Sequence, residues 1–321
     1  MKAVRYLKAG CPEIVDVPIP DPAEGQVLLK VQGVATCPQW DMHLMQGVSM
    51  VPGGTIEYPT PVGHPGHEAV GEVVRLGPEV KSLQVGDRAA LWRDQGGTRD
   101  GCYAEYVLAD ESNLLRVSKE LNVEDIASLE LAMCIQVSFD QILNIGPIEG
   151  KRFGVSGLGP AGLLAVQLAK AYGAKEVVAF DPVASRRQLA LSLGANRVFD
   201  PTGKDVFPDD RFSAECLEIA IDCTGLAVSV EFLLKRTREA VALFGVLRED
   251  VRFGFFQWCG GLHLLGYGKQ NRFAAERALE HINSGVLRLA PLISVTFPLT
   301  DYRAGVAMLE SKEAIKVCFI P

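Results

Sequence analysis

The segment Pro61–Glu72, PVGHPGHEAVGE, places His64, His67 and Glu68 within five residues, with Gly66 before the His-Glu pair and Gly71 after it. An imidazole nitrogen and a carboxylate oxygen are ligands that zinc accepts. The same residues also suit a turn with a hydrogen-bonded histidine and a solvated glutamate, so the segment needs partners to become a metal site. Thiols are available: Cys11, Cys37, Cys102, Cys134, Cys216, Cys223, Cys259 and Cys318 are scattered along the chain, and none forms a C-x-x-C. That scatter argues against a disulfide framework and for small buried side chains. Cys37 and Cys134 are the thiols whose positions invite comparison with His67 and Glu68.

A second constellation lies downstream. Gly157-Leu158-Gly159-Pro160-Ala161-Gly162 is a G-x-G-x-x-G that follows an apolar run, Arg152–Ser156, and opens a helical pattern. In such a turn the first glycine makes the tight bend. The second lets the backbone approach a pyrophosphate, and the third lets helix pack on strand. Pro160 suits the first helical position, and the helix start offers free N–H groups to phosphate. Asp181 stands 19 residues after Gly162, at the end of the next apolar run, where a carboxylate takes the ribose hydroxyls. An acidic side chain there repels a 2′-phosphate and favours NAD over NADP. Arg186 and Arg187 are the residues that would serve NADP instead. Thr224, after a later strand, would reach the same edge of the sheet.

The elements that must hold these residues divide the chain. With 321 residues, 48% of them hydrophobic and 22% charged, it has material for two domains with real cores. Up to about residue 120, short runs at Gln26–Val31, Ala69–Leu76, Arg88–Leu91 and Ala104–Leu108 alternate with turn signals at Gly77-Pro78, Gly86-Asp87 and Gly96-Gly97, a β-rich, barrel-like pattern. Leu44–Pro61, with three prolines and three glycines, reads as a long loop. A helical stretch over Val123–Leu131 follows. Strands and helices then alternate: Arg152–Ser156, Ala161–Tyr172, Glu176–Phe180, Ala184–Leu193, Ile219–Asp222, Ala227–Arg238, Val241–Val246 and Leu262–Tyr267. That alternation predicts an α/β fold with a doubly wound parallel sheet. A helix over Phe273–Ile282 and a strand over Ile315–Phe319 close the chain.

Net charge is −7 without a basic block, which argues against nucleic acid and against an anionic membrane surface. The N-terminus lacks a signal-peptide pattern, and no apolar run has the roughly 20 residues of a membrane helix. A cytoplasmic protein is expected. Phe253–Gly261, FGFFQWCGG, is an aromatic-rich stretch for a core, a cleft or a subunit interface.

Taken in order, the opening MKA, VPIPDPAEGQVLLKV, Cys37 with Asp41 and His43, GHEAVGEV, VGDRA, GCYAEYV and GLGPAG make the chain resemble the zinc-containing medium-chain dehydrogenases over nearly its whole length. The resemblance implies a GroES-like catalytic domain from 1–136 and 271–321 around a Rossmann domain from 137–270. It implies one catalytic zinc per chain, on Cys37, His67 and Cys134, with Glu68 as a nearby or alternating ligand. Asp41 would orient His67, and His43 would pass the substrate proton to solvent. It further implies hydride transfer between an alcohol or carbonyl compound and NAD, and a homodimer or homotetramer.

Two departures stand out. The family usually has Cys-x-x-Asp or Cys-x-x-Thr with a histidine five residues after the cysteine. Here Asp41 is four residues and His43 six residues after Cys37, so one residue is inserted among Pro38, Gln39 and Trp40, and the family's proton-relaying hydroxyl has no counterpart. The four-cysteine lobe of a structural zinc is missing, with Cys102 alone in that region. Other readings are a zinc-free NADP-dependent quinone or enone reductase of the same fold, and a non-catalytic dinucleotide-binding protein.

Overall fold

The computed structural model describes residues 1–94, 99–203 and 207–321; the Gly96-Gly97 turn signal lies outside them. The chain forms two units, Met1–Leu131 with Arg288–Pro321, and Ala132–Leu287. These bounds differ from the expected 136/137 and 270/271. The C-terminal helical stretch belongs to the second unit because Arg277 pairs with Asp140 there and His281 meets the Tyr172 ring edge-on at 5.8 Å. Cys134 therefore lies in the second unit, not in the first.

The first unit opens with a hairpin of β1 (Lys2–Lys8) and β2 (Cys11–Asp16). β3 (Gln26–Ala35), helix α1 (Pro38–Gln46), β4 (Glu68–Leu76), β5 (Arg88–Leu91), β6 (Tyr106–Asp110), β7 (Leu114–Arg116) and α2 (Val123–Ile126) follow. The chain crosses into the second unit within α3 (Leu129–Leu143). Two differences from expectation matter here. The loop expected from Leu44 starts later, because a helix that Pro38 opens runs through Leu44 to Gln46 and ends at Gly47, at φ 70°. The helix expected to stop at Leu131 runs on to Leu143. Val123–Leu143 is thus long and apolar enough to cross a membrane by composition, contrary to expectation, but 83% of it is buried inside the protein, as in a core helix.

In the second unit, β8 (Arg152–Ser156), α4 (Pro160–Ala171), β9 (Glu176–Phe180), α5 (Ala184–Ser192), β10 (Arg197–Phe199), β11 (Leu217–Asp222), α6 (Ala227–Leu234), β12 (Thr237–Leu243), α7 (Phe255–Trp258), β13 (His263–Leu265) and α8 (Arg272–Asn283) succeed one another. The strands form one parallel sheet in the order β10-β9-β8-β11-β12-β13. This is the doubly wound order with its switch point between β8 and β11. The helix expected to reach Arg238 stops at Leu234, because Thr237 already pairs with Leu217. Phe255, Phe256 and Trp258 are exposed rather than core residues.

The chain then returns to the first unit with β14 (Ile293–Pro298), α9 (Tyr302–Glu310) and β15 (Lys316–Ile320). The seven-stranded sheet there has the order β14-β15-β3-β4-β5-β7, with β6 also on β3. β3 is buried along nearly its whole length because it is paired on both sides.

The glycine turn after β8 is tight. A Cβ on Gly162 would stand 1.8 Å from the Gly157 carbonyl oxygen, a backbone atom that has nowhere to go. Gly162→Ala is therefore expected to cost about 1–3 kcal/mol in urea unfolding and to weaken dinucleotide binding. Unchanged stability would mean that α4 does not pack on β8 as described.

Candidate metal centre and dinucleotide site

Sheet register builds the first site. Ala35, the last residue of β3, pairs with Glu68, the first of β4, so Cys37 just beyond one strand meets His67 just before the other. On the far side of β3, Cys318 pairs with Ala35. Thr36 N–H donates to the Val317 carbonyl at 2.9 Å, and Val317 N–H to Thr36 Oγ1 at 2.9 Å, which brings Lys316 level with the same point. The Cys37, His67 and Glu68 donor atoms all lie within 4.8 Å of one another. This is the one such group of three or more among the described residues.

His67 is 8% exposed, and its Nδ1 lies 2.8 Å from the Pro65 carbonyl oxygen. That contact holds the Nδ1–H tautomer and leaves Nε2 for a ligand. Asp41 does not take the orienting role expected of it: its Oδ1 accepts from Tyr302 at 2.6 Å and its Oδ2 from Tyr103 at 2.9 Å. Glu68 is buried, and both its oxygens accept from Lys316 Nζ, at 2.7 and 2.5 Å. Its charge is thus already answered by a cation, and metal ligation by Glu68 would have to break that pair. His43 Nδ1 lies 2.6 Å from the Gln39 carbonyl oxygen of its own helix. Cys134 is buried on α3 of the second unit, where Gln270 Nε2 donates to its sulfur at 3.4 Å.

The electrostatics suit a cation. Burial works against a charged imidazole at His67, yet the hydrogen bond and charge of Cys37, then Glu130 and Asp94, raise its pKa well above the ordinary value. Glu130 Oε2 lies 4.0 Å from His67 Nε2. A soft sulfur, a nitrogen and surrounding anions are a donor set that zinc fits. A small cleft lies beside His67, with Trp40, His64, Pro65, Leu91, Asp94, Arg99 and Asp100 among its walls. The Trp40 ring meets those of His64 and His67 edge-on at 6.0 and 6.3 Å.

The second unit carries the other site. Gly157 has φ 86°, and a Cβ there would strike Thr224 Cγ2 at 2.5 Å, so the two loops of the switch point touch. A Cβ on Gly159 would meet nothing within 4 Å, which leaves open space where a pyrophosphate would lie. Pro160 and Ala161 open α4 above it. Asp181 is buried; its Oδ2 accepts from Leu158 N–H and its Oδ1 from Val183 N–H, both at 2.8 Å. Each oxygen keeps a lone pair for a ribose hydroxyl. Arg187 is committed to the Asp181 carbonyl at 2.6 Å and to Asp200 at 3.6 Å, whereas the buried Arg186 Nε has no hydrogen bond. The Thr224 hydroxyl is tied to Asp222 at 2.8 Å, so the loop role of that residue is structural as well.

Sequence reading missed Lys316, Tyr103, Tyr302 and Glu130, which lie far from the motifs in sequence. His64, close to His67 in sequence, lies beside it in the structure as well, on the same Trp40 ring.

A six-stranded parallel sheet with an open glycine turn, in a chain that also holds a sulfur–nitrogen donor pair, suits a metal-binding, dinucleotide-dependent dehydrogenase. Two family models match: the alcohol dehydrogenase GroES-like domain over residues 23–119 and zinc-binding dehydrogenase over residues 160–281. The L-threonine 3-dehydrogenase of Pyrococcus horikoshii is 29% identical, over 100% of this chain and 98% of its own. A putative zinc-binding dehydrogenase from Sinorhizobium meliloti, solved bound to NADP, is 27% identical with a TM-score of 0.87, over 100% and 99% of the two chains. The 2R,3R-butanediol dehydrogenase of Bacillus subtilis shares the fold at 23% identity, with a TM-score of 0.86 over 100% and 99%. The chain belongs to the zinc-containing medium-chain dehydrogenase/reductase family.

Two outcomes follow from the buried charges. Lys316→Met leaves the Glu68 carboxylate without its cation and is expected to lower stability by about 3–5 kcal/mol, most of it recovered in the Lys316→Met/Glu68→Leu double variant. Urea unfolding of the three proteins checks this, and a small loss in the single variant would refute the pairing. Burial pushes the Asp41 carboxyl up to about 6 from 3.8, against the opposing pull of the Tyr302 and Tyr103 hydrogen bonds. Because the folded state then binds the proton more readily, Asp41 contributes less stability as pH rises from about 4 to about 6. The stability of the metal-free protein relative to Asp41→Asn should fall by roughly 3 kcal/mol across that window; a pH-independent difference would contradict the burial.

Proposed function

We propose that the protein is a zinc-dependent oxidoreductase that transfers hydride between a small hydroxylated alcohol, or its carbonyl product, and NAD. The observation that carries this reading is the meeting of Cys37 and His67 at the ends of β3 and β4, with His67 Nδ1 held by Pro65 so that Nε2 is the nitrogen turned to Cys37. Cys37 and His67 would hold zinc, and Cys134 joins them through its position in the sequence pattern. Zinc, when bound, acts as a Lewis acid that lowers the pKa of an alcohol; the nicotinamide accepts the hydride. The chain's own residues do the rest. Pro65 fixes the imidazole tautomer. Lys316 neutralises Glu68, so that carboxylate adds little charge to the donor pair. His43, with Nδ1 engaged by Gln39, keeps Nε2 to carry the released proton away.

Polar side chains, His64, Asp94, Arg99 and Asp100, share the walls of the His67 cleft with Trp40, Pro65 and Leu91. They favour a hydroxylated substrate over a long alkyl chain. This agrees with the similarity to L-threonine 3-dehydrogenases. Asp181 supports NAD, since its carboxylate would face the 2′ position of the ribose. The exposed aromatics Phe255, Phe256 and Trp258, together with the edge strand β13, support a homodimer or homotetramer. All eight cysteines are free, which fits the reducing cytoplasm.

Metal content and cofactor affinity test the reading together. The wild type is expected to carry about one zinc per chain and to bind NAD at least roughly tenfold more tightly than NADP. Cys37→Ser, His67→Ala and Cys134→Ser should lose the metal and about a thousandfold in turnover, with NAD affinity within a few fold of wild type. Full activity in a zinc-free preparation would overturn the zinc assignment. A preference for NADP would transfer the cofactor assignment from Asp181 to Arg186.

A further inference from the structure

The residue inserted after Cys37 has a structural consequence. Successive side chains on a helix are about 100° apart. Trp40 faces the two histidines, with ring centroids 6.0 Å from His64 and 6.3 Å from His67. Asp41, one step further round, points instead into a cluster of tyrosines, where it is fully buried. Tyr302, the first residue of α9, donates to one oxygen at 2.6 Å, and Tyr103 donates to the other at 2.9 Å. The two rings pack on each other with centroids 4.8 Å apart, and both touch Phe319.

Tyr103 also touches the other half of the donor pair. A Cβ on Gly66, the residue before His67, would stand 2.7 Å from the Tyr103 nitrogen and 3.0 Å from its ring. Cys102 N–H donates to the Gly66 carbonyl at 2.8 Å, and Tyr103 N–H to the Gly63 carbonyl at 3.1 Å. One tyrosine thus holds the loop that bears His67 through its backbone and ring, and the helix that bears Cys37 through its hydroxyl.

We propose that Tyr103 and Tyr302 are positioning residues that set the separation of Cys37 and His67 by fixing Asp41, and hence α1, against the His67 loop. This rests on the reading of Cys37 and His67 as metal ligands. A carboxylate held at both oxygens cannot shift without leaving a buried hydroxyl or a buried charge unmatched, so α1 has one seat. The side chain that orients a ligating histidine elsewhere is here spent on orienting a helix, and the Pro65 carbonyl serves the histidine.

Tyr302→Phe and Tyr103→Phe keep the rings and remove only the hydroxyls. In the full-length protein, zinc affinity read by competition with a chromophoric chelator is expected to fall roughly tenfold or more in each. The visible spectrum of the cobalt-substituted variants should shift as the sulfur–nitrogen geometry loosens. Val306→Ala, in the same core on α9 but without a polar group to lose, is the control: it should lose stability and keep both zinc affinity and the cobalt spectrum. Wild-type affinity and spectrum in both tyrosine variants would overturn the proposal while leaving the metal assignment intact. An equal loss in Val306→Ala would reduce the effect to general destabilisation and also overturn it. A wild type that takes up neither zinc nor cobalt would remove the metal assignment and the proposal together.

Discussion

The register of β3 is the constraint on which the first unit depends. This strand pairs with β4 along one edge and with β6 and then β15 along the other, and only Lys30 on it is exposed. A slip of one residue against β4 would turn every side chain of β3 to the wrong face, and the buried Val27, Leu29, Val31 and Val34 hold against it. The same register puts Ala35 opposite both Glu68 and Cys318. Three segments distant in sequence therefore end at one point. Cys37, His67, Glu68 and Lys316 meet there because apolar side chains on the strands behind them leave no alternative pairing.

Polar groups gathered so deep in a sheet need partners, and the ledger closes. Glu68 has Lys316, Asp41 has two tyrosine hydroxyls, and His67 Nδ1 has the Pro65 carbonyl. Each partner also removes a freedom. The ion pair joins β4 to β15, and the tyrosines join α1 to α9 and to the loop before β4. Cys37 sulfur and His67 Nε2 are left to each other, joined by a hydrogen bond and near the anions Glu130 and Asp94.

Legibility in the sequence followed distance along the chain. The glycine turn and Asp181 could be read because their requirements are local: a tight bend, a close helix packing and a carboxylate one strand further on. The parallel sheet could be read from alternation alone. The pairing of His67 with Cys37 came through family resemblance, since nothing in either segment announces the other. Lys316 and Tyr302 were invisible because they act across separations of 248 and 261 residues. A lysine in an apolar strand and a tyrosine opening an amphipathic helix look like edge and surface residues until the register is known. The insertion after Cys37 was legible as a count but not as a geometry. Only the helix over Pro38–Gln46 shows that Trp40 lies against the histidines and that Asp41 is hydrogen-bonded to two tyrosines.

The return of the C-terminal segment ties the assembly of the site to completion of the chain. Before α9 and β15 are in place, β3 lacks a neighbour at its end, Glu68 lacks its cation and Asp41 lacks the shorter of its two hydrogen bonds. Closing the centre early would bury a carboxylate with nothing to answer it, which costs several kcal/mol. The donor pair is therefore favoured to form only after the whole second unit has been made, since that unit lies between β4 and β15 in the chain. Long-range pairing of this kind is slow to find. It is also specific, because a cysteine and a histidine that meet only in the finished sheet are less able to trap a metal in a partly folded one.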